Sequence, residues 1–84
     1  MDKIKPLLEE LGIEPNDSWT CQHIFKPGKL DNVYYYTFKH KGVTYCCSND
    51  SYSLVFSSDK DFLPIYTGYK IEGLKKAILK VIKK

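Results

Sequence analysis

The sequence predicts an α+β domain: a two-layer sandwich in which a four-stranded antiparallel sheet carries an N-terminal and a C-terminal helix on one face, in the order α-β-β-β-β-α. Three observations predict it. Residues 33–57 hold three β-branched and aromatic runs, cut by Lys41-Gly42 and Asn49-Asp50. Ile4, Leu7, Leu8 and Leu11 follow the i, i+3, i+4, i+7 spacing of a helix. Ile71, Leu74, Ala77, Ile78, Val81 and Ile82 fill one broad face of another.

In the first helix Pro6 is tolerated only because it falls in the opening turn, and Gly12 stops the element. Glu9 and Glu10 are read as early residues whose charge suits the N-terminal end of the helix dipole, and Ile13 as folding back onto the last turn. Pro15, Asn16 and Asp17 form a connector. Residues 19–25 then alternate, with Trp19, Cys21, His23 and Phe25 on one side and Thr20, Gln22 and Ile24 on the other, which is the pattern of a first strand. Pro27-Gly28 has the composition of a type II turn, and residues 27–32 are expected to make a loose loop.

The middle of the chain sets its own register. A two-residue loop at Lys41-Gly42 opposes His40 to Val43, Phe38 to Tyr45 and Tyr36 to Cys47. A second such loop at Asn49-Asp50 would oppose Tyr52 to Cys47, Leu54 to Tyr45 and Phe56 to Val43. Both put Tyr34, Tyr36, Phe38, Val43, Tyr45, Cys47, Tyr52, Leu54 and Phe56 on one face, which the helices must cover. The opposite face carries Val33, Tyr35, Thr37, Lys39, Thr44, Cys46, Ser53, Val55 and Ser57. Beyond it, Pro64 disfavours a long helix, so residues 65–67 are open to a single helical turn or a short extra strand. Thr67 is a candidate cap for the last helix, in which Gly73 costs about 1 kcal/mol.

Eighty-four residues make one domain, 1–84, with a thin core. The apolar share of 43% includes no run long enough to cross a membrane, and the first residues lack the pattern of an export signal, so a cytosolic protein with no membrane partner is expected. Three cysteines without framework spacing suit reduced thiols. All thirteen basic residues are lysine, the bias of an AT-rich genome such as that of a bacterium or its phage. Without arginine, bidentate reading of bases loses its usual tool. Residues 70–84 carry six lysines against Glu72, so the net charge of +3 belongs to the last helix.

No catalytic constellation emerges. Cys21, His23, His40 and Cys47 are the right types for zinc, yet His40 and Cys47 would lie roughly 13 Å apart along the sheet, and no C-x-x-C or H-x-x-x-H spacing accompanies them. Cys21 with His23, or Cys46 with His40, could act as nucleophile and base only through an accident of packing. The carboxylates are scattered and the glycines form no phosphate loop, so no enzyme activity, metal or cofactor is expected.

Lys41-Gly42-Val43-Thr44-Tyr45 resembles the RNP1 motif of RNA-recognition domains, although Val43 and Ser48 stand where that motif has aromatics. The helix–strands–helix order is similar to that of double-stranded-RNA-binding domains, with the lysines at the other end of the last helix. Both likenesses stop at topology. The expected function is therefore protein interaction, with a partner or a second copy of the chain, through Val33, Tyr35, Thr37, Lys39, Thr44, Cys46 and Val55. The alternative is sequence-nonspecific nucleic-acid binding by Lys76, Lys80, Lys83 and Lys84.

Overall fold

A computed structural model describes residues 2–50 and 52–83, Phe25 in its backbone alone. Helix α1 (Ile4–Glu10) is followed by strands β1 (Asp17–Lys26), β2 (Lys29–His40), β3 (Val43–Asn49), β4 (Leu54–Ser58) and β5 (Tyr66–Gly68), then helix α2 (Ile71–Ile82). The α+β class holds, with five strands in place of four: an antiparallel meander in the spatial order β1-β2-β3-β4-β5. No helix among the described residues is long and apolar enough to cross a membrane.

Both helices lie on the face that the alternation assigned to the core. Ile4, Leu7 and Leu8 from α1 and Leu74 and Ile78 from α2 are buried against Phe38, Cys47, Leu54 and Phe56. Phe38, Tyr45 and Phe56 form a stacked triad with ring centroids 5.5 to 6.2 Å apart, each contact adding about 0.5 to 1.5 kcal/mol beyond burial. The faces separate by row. Ser18, Tyr36, Cys47, Phe56 and Tyr66 are successive cross-strand neighbours under the helices.

The β2–β3 register is the one that Lys41-Gly42 dictates: Lys41 and Gly42 both take positive φ, 51° and 80°, as a two-residue hairpin turn requires. The second hairpin differs. Asn49 pairs with Leu54 and Cys47 with Phe56, so β3 ends at Asn49, β4 starts at Leu54, and Tyr52 leaves the sheet for solvent. Asp50 causes this. Its Oδ1 accepts the backbone N–H groups of Tyr52 and Ser53 at 2.7 Å each, and its own N–H reaches Ser53 O at 3.1 Å, a side-chain-built turn that a two-residue loop has no room for. Because the displacement is an even number of residues, Leu54 and Phe56 keep the predicted face.

Three local expectations need correction, and one alternative left open is resolved. The loose loop over residues 27–32 is instead a tight turn, with Gly28 at φ 83° and β2 beginning at Lys29. Glu9 and Glu10 close α1 rather than open it, because the helix has only seven residues; its first N–H groups are met by Asp2 Oδ1, 3.0 Å from Ile4 N and 3.2 Å from Lys5 N. Thr67 belongs to β5, and α2 starts after Lys70 without a side-chain cap. The segment after Pro64 is the short extra strand, drawn beside β4 by Ile65 N–H donating to Phe56 O at 2.7 Å.

Gly12, at φ 72°, ends α1 as expected, and Ile13 N–H returns to Leu8 O at 2.9 Å, which lays Ile13 against the core. Past the Tyr34–Asn49 pair, β1 and β2 continue with no third strand among the described residues and form a two-stranded arm. At its end Ile24 and Leu30 face each other in solvent, 78% and 64% exposed.

Candidate interaction surface

With both helices on one side, the other face of the sheet is left without a covering layer by the described residues. Its central row runs Trp19, Tyr35, Ser48, Val55, Thr67, one residue from each strand. Asp17, Thr37, Cys46 and Ser57 form the row beside it, and Lys39–Thr44 and Cys21–Val33 lie at opposite ends. The register therefore brings all seven residues expected for partner contact onto this face. Their exposure is unequal: Lys39 is exposed, Tyr35, Thr37, Thr44, Cys46 and Val55 are half-buried, and Val33 is buried.

Trp19 was legible as a strand residue, but its place in this surface follows only from the β1–β2 register. Its indole stacks on the Tyr35 ring with centroids 5.0 Å apart and planes 8° from parallel, and Trp19 remains 43% exposed. Both rings belong to the central row of the uncovered face. Partial burial raises the Tyr35 phenol above its ordinary pKa, and Cys21, Cys46 and Asp50 add electrostatically in the same direction. Burial likewise raises the Cys46 thiol. The central row itself holds no acidic or basic side chain, while Asp17 and Lys39 stand in other rows of the same face.

The residues weighed for zinc or thiol chemistry do not converge. Cys21 and His23 share the outer side of β1 with Trp19, whereas Cys47 lies on the helix side in the row of Tyr36 and Phe56. His40 pairs with Val43 at the far end of β2 and is on the side opposite Cys46; its Nε2 is buried with no hydrogen-bond partner among the described residues. Burial, with Cys46 adding to it, pushes the Cys47 thiol up to about 12, the reverse of what a nucleophile needs.

On α2, Lys76, Lys80 and Lys83 are exposed and border a shallow groove of about 370 Å³ with Leu79. Lys84 lies outside the described residues. Lys75 is drawn away from this row by a 2.9 Å ion pair with Glu10, across the α1–α2 contact. A feature not anticipated is the loop before β5, where Phe62 is fully exposed and Leu63 nearly so. It adjoins a groove of about 530 Å³ lined by Ile65, Tyr66, Gly73, Lys76, Ala77, Lys80 and Val81. The apolar quartet Phe62-Leu63-Pro64-Ile65 between polar residues was its only sequence signal.

The fold and this face together define a small two-layer α+β domain with one open sheet surface. Comparison with family models, with characterised proteins and with solved structures finds no match.

Proposed function

We propose that the chain is a non-enzymatic, cytosolic protein-interaction domain that meets a protein partner through the outer face of its sheet. The observation that carries this is the uncovered row through Trp19, Tyr35 and Val55, spanning every strand, with its stacked aromatic pair partly exposed. Such rigid, amphipathic rings bury large area at small entropic cost when a partner covers them. The separation of Cys, His and carboxylate groups supports the non-enzymatic part. Replacing Tyr35→Ala together with Val55→Ser removes the centre of the surface without touching the core. Capture of partners from extract by the tagged variant, folded by circular dichroism, falls away on this reading; capture indistinguishable from the unaltered chain assigns the contact elsewhere.

A second reading has its own observation, the row of exposed Lys76, Lys80 and Lys83 along α2. With Lys84 it supplies four phosphate contacts, for which the logarithm of affinity for duplex DNA falls with the logarithm of salt concentration with a slope of roughly −3 to −4. A gel shift across salt concentrations reads this slope, and no shift at low salt removes the idea.

A further inference from the structure

Strand β1 is one edge of the sheet, and its outer edge pairs with no other described strand. It is ten residues long, and between Asp17 and Lys26 it holds no charge and no proline. Natural sheets blunt their edges with shortness, lysines, prolines or bulges. The opposite edge follows that rule, since β5 has three residues and packs against α2. On β1 the one irregularity, between Ile24 and Lys26, comes at the far end. It has an electrostatic effect. By pairing Lys26 with Lys29, the irregularity turns Lys26 to the outer side of the sheet, the side that Asp17 shares through its pairing with Thr37.

We infer that β1 pairs antiparallel with β1 of a second copy of this chain, joining two five-stranded sheets into one. A two-fold axis normal to the sheet keeps the helices of both copies on the same side, so only residues of like face oppose one another. The register centred on Cys21 pairs residues 18–24 of the two copies, all within the regular part of the strand. It opposes Ser18 to Ile24 of the second copy, Trp19 to His23, Thr20 to Gln22 and Cys21 to Cys21, pairs without formal charge, and sets Asp17 of each copy opposite position 25 of the other, one residue from Lys26 in the irregular stretch. Parallel pairing about an axis along the strands would instead place Asp17 beside Asp17 and Lys26 beside Lys26. Charge therefore selects the antiparallel arrangement. The contact is made by main-chain groups of the edge, and it is separate from the outer-face contact proposed above.

Thr20 and Gln22 are exposed on the helix side, which allows a test specific to this register. In sedimentation equilibrium the full chain is expected to be a dimer. Thr20→Lys with Gln22→Lys sets like charges opposite each other in both symmetry-related pairs, and raises the dissociation constant roughly tenfold or more. Thr20→Lys with Gln22→Glu sets opposite charges in the same pairs and retains the dimer. Circular dichroism verifies that both variants fold. A chain monomeric up to its solubility limit overturns the proposal, as does a dimer indifferent to the lysine pair or one weakened equally by both variants. Tyr35→Ala with Val55→Ser leaves the edge intact and the dimer unchanged, so loss of partner capture and loss of self-pairing are read apart.

Discussion

The ring of Tyr66 lies directly over Gly73, closing β5 against the first turns of α2. A Cβ built on Gly73 would meet the ring carbons Cε1 and Cζ at 2.6 Å, and one on Gly68 would meet Cζ at 2.8 Å. The phenol is fixed at its far end, where Oη donates to Lys70 O at 3.0 Å. Gly73 thus gives up about 1 kcal/mol of helix propensity to admit the ring. Gly73→Ala is expected to destabilise the fold by about 1 to 3 kcal/mol through overpacking, despite the better helix former. In a Tyr66→Ala background the same change should become neutral or stabilising, which urea titrations of the four chains in the cycle measure.

Asn49 ties the start of α1 to the sheet from a buried position. Its Oδ1 accepts Lys3 N–H at 3.0 Å, and its Nδ2 donates to Asp50 O at 2.7 Å, so one amide holds both the helix entrance and the second turn. Asn49→Ala leaves these backbone groups without their partner, and a loss of about 1 to 3 kcal/mol is expected in chemical denaturation.

How much of this was legible depends on the range over which each interaction acts. Val43, Tyr45 and Cys47 found their partners because the Lys41-Gly42 turn is local and the side-chain period is strict. Asn49-Asp50 misled because asparagine and aspartate serve two kinds of turn, and only the Asp50 bonds to Tyr52 and Ser53 distinguish them. The even displacement preserved the faces, which is why the open surface was foreseen while the hairpin was not. Trp19 joined that surface through a β1–β2 pairing that begins at the tight Pro27-Gly28 turn, read from sequence as slack. Gly73 looked like a helix defect because the ring that explains it arrives from another element.

Tyr36 provides an alkaline readout of the α1 anchor. Burial, then the hydrogen bond that its hydroxyl donates to Asp2, pushes its pKa up to about 12 from 10.0. The folded state therefore holds this proton more tightly than the unfolded chain does. Its contribution is complete below pH 10 and is lost as pH rises toward 12. Tyr36→Phe is expected to flatten the fall in stability over that window and to cost about 0.5 to 1.5 kcal/mol at neutral pH. Denaturation midpoints at pH 7 and across the alkaline range measure both effects.

The three cysteines should report the two faces of the sheet by their chemistry. Cys47 is fully buried beneath the helices with its thiol pushed up to about 12 from 9.0, while Cys21 and Cys46 sit half-buried on the open face. At pH 8 a disulfide reagent is expected to modify Cys21 and Cys46 in the native protein and to reach Cys47 only after unfolding, because thiolate character and access both fail there. Cys46, raised by its own burial, should react more slowly in its thiolate-limited step than an unhindered thiol. The Cys47 proton also adds to alkaline lability: the folded state keeps it above pH 9, so this part of the stability declines between pH 9 and about 12. Mass spectrometry of alkylated peptides resolves the three sites. Modification of Cys47 at the rate of Cys21 in folded protein would mean that the helices do not seal this face.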